Sequence, residues 1–424
     1  MTTVPALHPQ AAQLVARTVP IPDPGPLLDL LPQGRAVSWV RRGEGLVGWG
    51  EVARVTTSGA RRFVDAERAW HGLVRHAAVR DEVGLPGTGP IAFGSFAFAD
   101  SSPAGGVLVV PEIVVGRRGS RAWITVLGRG PVLPVAESRR PVAPPTSPGT
   151  VTFTEGTRSA DFWRNAVATA IERIDAGRLG KVVLARDLVA RAGAPIDVRW
   201  LLRRLAENYP GCWTFVVDGL VGATPELLVR REKGLVTSRV LAGTIQRSGN
   251  DERDLALAAS LARSSKDLEE HEFAVRSVAE ALTPHCSSTN VPESPFVLHL
   301  ANVMHLATDV TGVLADGTSS LSLAQALHPS AAVCGTPRQA ASMLIEEIEG
   351  MDRDRYAGPV GWTDAEGDGE WGIALRSARL DAEDPCRLRL FAGCGIVGGS
   401  DPLTELAEAE AKFIPIRTAL GTDR

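Results

Sequence analysis

The sequence predicts an α+β fold formed as one large body, with antiparallel sheets flanked by helices. Three observations carry that prediction. Short apolar runs joined by glycine turns read as hairpins, one around Gly43 to Gly45 and another turning at Gly367 to Gly369. Long helical stretches fall between such hairpins without the strict strand-helix alternation of a doubly wound sheet. At 424 residues and 44% hydrophobic content the chain is globular and can bury a large core, and no repeat of fixed period stands out.

Residues 1–150 read as a β-rich lobe. AVSWVRRGEGLVGWGEVARV gives the first hairpin, the spacing of Trp70, Leu73 and Val74 predicts a helix from about Asp65 to Val79, and PIAFGSFAFAD and GVLVVPEIVV continue the strands. The Pro-rich segment 139–150 marks a linker or lobe boundary. Residues 151–424 follow as a second region. An amphipathic helix over 161–178 leads into the strand KVVLARDLVA, where Lys181, Val183 and Ala185 face one way. A helix near Val198 to Glu207 precedes the strands WTFVVDG, VGATPELLVRR and GLVTSRVLAGT. Leu255 to Leu282 reads as one long helix, PFVLHLANVMHLATDV as strand, and Leu321 to Leu327 and Ala340 to Glu349 as helices.

Composition removes several classes of function. The net charge is −4 with no long basic run, which argues against nucleic acid or an anionic membrane as main partner. No uncharged apolar run is long enough to span a bilayer, and the first ten residues lack the pattern of a signal peptide. Five cysteines without C-x-x-C spacing suggest reduced thiols in the cytoplasm. Of 45 basic residues only Lys181, Lys233, Lys266 and Lys412 are lysine. Arginine is the default cation here, so each lysine points to a place where a compact, deprotonatable amine is wanted. Lys233, in the REKG turn, reads as a hairpin tip.

The densest chemistry lies in FAGCGIVGGSDPLTELAEAEAK, residues 391–412. A buried strand from Phe391 to Val397 is broken by Gly398 and Gly399, and a helix begins with Asp401 as N-cap and Pro402 at its first position. On that helix Glu405, Glu408 and Lys412 share one face. GCGIVG matches a dinucleotide fingerprint, but too little chain follows for the βαβ unit such a site needs. In SSKDLEEHE, Asp267 and Glu270 repeat the i, i+3 spacing of Glu405 and Glu408. Two facing helices with one such pair apiece would present four carboxylates to a small hard cation such as magnesium, although on spacing alone a solvated charged face explains them as well. Lys181 opens an otherwise apolar strand, and Glu226 follows Pro225 at the start of another. Partial burial would suit the first as a base and the second as a proton donor.

Taken together, KVVLAR, GATPELL, LAGT, KDLEEHE, HLAT, HPSAAVCGTP, YAGPVGW, IALRSA and AGCGIVGGSDPLTELAEAEAK resemble the chorismate-utilising enzymes, from about 160 to 415. SWVRRGEGLVGWGE resembles the menaquinone-type isochorismate synthases. The resemblance implies the anthranilate synthase component I-like fold, with 151–424 as its chorismate-binding catalytic region. It implies Glu270 and Glu408 as magnesium ligands supported by Asp267 and Glu405. Lys412, Arg376 and Tyr356 would hold chorismate with backbone around Gly243, Thr244, Gly393 and Gly395, and His305 would line the ring. Lys181 would be general base to water attacking ring C2, and Glu226 general acid to the departing C4 hydroxyl. Alanine at Ala242 removes the nucleophile of aminodeoxychorismate synthases, and Ala332 stands where salicylate synthases tend to carry threonine. Cys394 replaces a more usual alanine, and Ser330-Ala331 a more usual Thr-Pro. The implied activity is isochorismate synthase for menaquinone biosynthesis. Salicylate synthase and a siderophore-pathway isochorismate synthase are the alternatives within the family, and a silent chorismate-binding subunit is the alternative outside catalysis. The expected partner is chorismate alone, without an amidotransferase subunit, in a monomer or weak homodimer.

Overall fold

The computed structural model describes residues 13–130, 142–299 and 303–421, with the side chains of Lys266 and Glu270 left out. Among the described residues two large sheets carry the architecture, one of thirteen strands and one of ten. Every strand pairing is antiparallel except that of Leu14–Ile21 with Ala78–Asp81. This is the α+β organisation that the hairpin-rich sequence implies.

Both sheets draw strands from the whole chain. In the larger, Ala36–Arg41 pairs with Trp213–Val217, and the order continues through Leu220–Thr224 and Ser377–Leu380 to Arg387–Val397 and Lys181–Ala192. In the smaller, Ile91–Phe96 pairs with Pro359–Asp364, and the order runs on to Leu235–Gln246 and Val303–Leu314. The main core includes Trp39, Phe93, Phe96, Trp123 and Trp371, each at most 2% exposed, so early and late segments share one interior. Deleting any of these rings would cost about 3–5 kcal/mol.

Several elements depart from the sequence reading. The helix expected from Asp65 to Val79 is Arg62–Val74, and Ala78–Asp81 is an edge strand beside Leu14–Ile21. The stretch Leu255 to Leu282 is two helices, Asp251–Leu261 and Ser265–Leu282. The break is encoded locally: Ser264 has extended backbone, and its side chain accepts a hydrogen bond from the amide of Asp267, capping a new helix. PFVLHLANVMHLATDV is not one strand but two, Phe296–His299 and Val303–Leu314, paired antiparallel. Both are apolar enough that periodicity cannot reveal the reversal. The first part of the Pro-rich segment, 139–141, lies outside the described residues, and 142–150 holds no regular structure.

Candidate active site

A cavity of about 530 Å³ lies where the two sheets and two helices converge. Strands Lys181–Ala192 and Arg387–Val397 of the larger sheet run antiparallel in an eleven-pair register from Lys181↔Val397 to Arg191↔Arg387. Their alternation sends Lys181 and Val183 toward the cavity, past the backbone of Gly393 and Gly395. Leu235–Gln246 and Val303–Leu314 of the smaller sheet contribute Gly243, Thr244 and His305. Helices Ser265–Leu282 and Pro402–Ala419 add Asp267, Glu405, Glu408 and Lys412.

The glycines are there for space. A Cβ on Gly395 would meet Lys181 Cε at 2.8 Å and Nζ at 3.3 Å, and one on Gly393 would meet the carbonyl oxygen of Leu184 at 2.8 Å. Gly243 occupies a bulge between Ala242 and Thr244 with φ +75, and a Cβ there would press on Asp267 Cβ at 3.2 Å. The bulge thus brings the acid-bearing helix close while the strand continues to Thr244, whose hydroxyl lies 2.9 Å from His305 Nδ1.

The cavity floor is buried and its mouth is exposed. Glu226 is 7% exposed, and burial pushes its carboxyl up to about 8 although Lys181 and Arg376 pull the other way. Burial, with Arg376 and Lys412 nearby, lowers His305 to about 3, so its imidazole is neutral. Tyr356, stacked on Phe391 at 5.3 Å, is pushed up to about 12 by burial and is a phenol. Arg376 adopts φ +46, left-handed backbone that a non-glycine residue pays about 1–3 kcal/mol to hold. Toward the mouth, Glu408 is exposed and paired with Lys412 at 2.7 Å, while Lys412 also donates to the carbonyl of Gly393 at 2.8 Å. Glu405 accepts from Ser400 Oγ at 2.7 Å. Cys394 Sγ and carboxylate oxygens of Glu405 and Glu408 all lie within 4.8 Å of one another.

Every site residue expected from the sequence lines this one cavity except Glu270, whose side chain lies outside the described residues. Lys181, Glu226, Gly243, Thr244, Asp267, His305, Tyr356, Arg376, Gly393, Gly395, Glu405, Glu408 and Lys412 are brought together from segments up to 231 positions apart, the separation of Lys181 and Lys412. Sequence reasoning missed Arg353. Its guanidinium, 3% exposed, forms a bidentate pair with Glu349 at 2.7 and 2.6 Å and donates to the carbonyls of Val183 and Val333 at 2.6 and 2.9 Å. Glu349 in turn accepts from the amide of Ala185 at 2.7 Å. This clamp fixes the Lys181 strand to the loop carrying Ala332. One arginine among so many gives no sequence signal, and because Glu349 caps the helix Arg338–Ile348 and Gly350 follows at φ +66, no helical i, i+4 spacing marks the pair.

A buried protonated carboxyl, several cations and three carboxylates around one cavity define an enzyme site for a small anionic molecule. The chain belongs to the chorismate binding enzyme family, whose model matches residues 8–129 and 135–421. A relative from Mycobacterium tuberculosis, provisionally named isochorismate synthase MenF, is 40% identical over 350 residues, covering 80% of this chain and 88% of that protein. The salicylate biosynthesis isochorismate synthase of Pseudomonas aeruginosa is 35% identical over 403 residues, 88% of this chain and 82% of its own. Among solved structures, the menaquinone-specific isochorismate synthase MenF of Escherichia coli superposes with a TM-score of 0.80 at 25% identity, covering 97% of this chain and 95% of that one. Among the described residues no helix is long and apolar enough to cross a membrane.

Proposed function

We infer that the protein is an isochorismate synthase, converting chorismate to isochorismate, and that it serves menaquinone formation. The observation that carries the reaction is Glu226: a carboxyl held protonated by burial in the same cavity as Lys181 can give a proton to a leaving hydroxyl. Lys181 accepts the proton of a water that bonds to ring C2. The diene electrons shift round the ring, the C4–oxygen bond breaks, and Glu226 protonates the departing oxygen. One water enters and one leaves, so the net change is an isomerisation. Arg376 and Lys412 offset the substrate carboxylates, and neutral His305 lines the ring. Ala242 offers no side-chain nucleophile, and Lys181 stands where the resembling anthranilate synthases carry glutamine, which favours water over ammonia and gives an amidotransferase subunit no role.

The donor set fits magnesium. Asp267, Glu405 and Glu408 bring oxygen ligands from two helices to one cavity, and Glu270 stands one turn beyond Asp267 on the first. When bound, the cation neutralises and orients a substrate carboxylate. Glu408 would hold it with Glu270, and Asp267 and Glu405 would support them.

The menaquinone assignment is supported by the MenF names of the Mycobacterium tuberculosis and Escherichia coli relatives. We place the enzyme in the cytoplasm as a monomer or weak homodimer, in keeping with five free cysteines. Incubating the pure chain with chorismate and magnesium, with Lys181→Ala as control, tests the reaction by chromatography. Isochorismate is the expected product. Pyruvate with salicylate, or anthranilate when ammonia is supplied, would overturn the assignment.

A further inference from the structure

Glu226 borders a second, much smaller cavity. Its volume is about 10 Å³, about what a single water needs, and Glu226 and Ala332 line both it and the main cavity. Most of its wall is apolar, from Leu228 and Val240 to Ala274 and Val278, so the few polar groups decide where a water can sit. Ser330 Oγ is shut off from solvent and has no hydrogen-bond partner among the described residues. Ser238 Oγ gives its proton to the carbonyl of Leu228 at 2.7 Å, which leaves its oxygen able to accept. Arg239 is spent on Asp309, with two hydrogen bonds of 2.7 Å. The main chain of Glu226 is also spent: its amide donates to Thr224 Oγ1 at 3.3 Å, and its carbonyl accepts from the amide of Ile373 at 3.2 Å. Among the described residues no hydrogen bond reaches its carboxyl. A hydroxyl and a carboxyl buried without partners are costly, and one water with three hydrogen bonds removes the cost for both.

We propose that a single water occupies this small cavity, held by Ser330 and Ser238, and donates to the Glu226 carboxyl, which makes Ser330 a positioning residue for the general acid. The role, though not the water, rests on reading Glu226 as the proton donor. The protonated carboxyl turns its O–H to the leaving oxygen and its carbonyl oxygen to the water. As the proton departs, negative charge spreads to that carbonyl oxygen, and the water's hydrogen bond strengthens with it. Two charges that act on Glu226, Lys181 and Arg376, stand outside the small cavity. Asp267, on the helix that walls it, lines only the main cavity, where His305 and Tyr356 are uncharged.

The full chain is compared with Ser330→Ala and Ser330→Thr. With chorismate and magnesium, Ser330→Ala is expected to lower kcat by about 3- to 10-fold and to move the alkaline limb of kcat/KM up by about one pH unit, because the ionised carboxyl loses a donor. Ser330→Thr keeps the hydroxyl and is expected to match the parent in both. Lost packing alone would admit solvent to Glu226 and move the limb down. A limb that moves down or stays, or a threonine variant that behaves as the alanine one, therefore overturns the proposal. Infrared spectra give a readout without turnover, since the difference from Glu226→Gln singles out the carbonyl stretch of protonated Glu226. Ser330→Ala should raise that frequency as the hydrogen bond is lost, and an unmoved stretch overturns the water. A stretch that moves in a chain that makes no isochorismate refutes the reaction assignment and leaves the water standing. Isochorismate formation with neither limb nor stretch displaced refutes only this inference.

Discussion

Gly395→Ala isolates the position of the Lys181 amine from its chemistry. The new methyl would lie 2.8 Å from Lys181 Cε and 3.3 Å from Nζ, against an ordinary carbon contact of about 3.5–4.0 Å. The end of the lysine must therefore move by about 1 Å. Gly395 is not in the left-handed region, and the crowded atoms are the far end of a flexible side chain, so the fold absorbs the change. Stability should stay within about 1 kcal/mol of the parent. A displacement of that size at a reacting group costs up to about 100-fold in rate, or about 2.7 kcal/mol of barrier. Steady-state isochorismate formation should show kcat reduced by about 10- to 100-fold, with a thermal melt close to the parent's. Gly393→Ala gives the contrast, because its methyl would meet the Leu184 carbonyl at 2.8 Å and push two paired strands apart, lowering stability as well. If Gly395→Ala keeps its kcat and only raises KM, Gly395 is a substrate cradle and Lys181 is not the base.

Four further outcomes follow from the same geometry. Glu226 must stay protonated to act, so wild-type kcat/KM should fall as pH rises through about 8, and Glu226→Gln should cost about 100- to 10,000-fold in kcat and remove that limb. The folded-state value is raised above the ordinary 4.5, so this carboxyl's contribution to stability is intact below about 4.5 and is lost as pH rises toward 8; chemical denaturation should show Glu226→Gln gaining on the parent by a few kcal/mol across that window. Arg353→Ala strands Glu349, whose side chain is 1% exposed, and should lower stability by about 3–5 kcal/mol, while removing both partners together should cost less than the sum of the single changes. A fragment of residues 151–424 should aggregate, since it leaves Trp213–Val217 and Pro359–Asp364 without the partner strands Ala36–Arg41 and Ile91–Phe96; a soluble, cooperatively melting fragment would show the strand pairs to be dispensable.

The scarcity of lysine made part of the site legible. In a chain where arginine supplies nearly every cation, Lys181 and Lys412 stood out, and both line the cavity. Helical spacing was equally readable, because an Asp401 cap and a one-face series of Glu405, Glu408 and Lys412 need only local geometry. The same bias hid Arg353, which is one arginine among many until its four hydrogen bonds are seen. Helix limits failed where a single serine cap outweighed continuous helical periodicity, at Ser264, and where two consecutive apolar segments folded back as a hairpin. Long-range pairing was not readable either: nothing local in PIAFGSFAFAD says that Ile91–Phe96 will lie beside Pro359–Asp364.

Chemistry and support are divided unequally along the chain. Among the described residues none that lines the cavity precedes Lys181, yet strands from the first 130 residues are internal to both sheets. Their effect on the site runs through contacts behind it. Trp39 Nε1 donates to Glu370 at 2.7 Å, and Phe96 packs on Trp371 at 5.8 Å, fixing the strand Gly369–Ile373. That strand ends three residues before Arg376, whose strained backbone needs rigid neighbours to persist. Arg355 reaches Ser95 Oγ at 3.2 Å and Asp218 at 2.8 Å, anchoring the segment that turns into Tyr356. A net-acidic protein that takes up a dianion must hold its few opposing cations in place before the ligand arrives, because flexible ones would be neutralised by neighbouring carboxylates instead. The N-terminal strands supply that rigidity, so a region that brings no side chain to the cavity still sets where its cations stand.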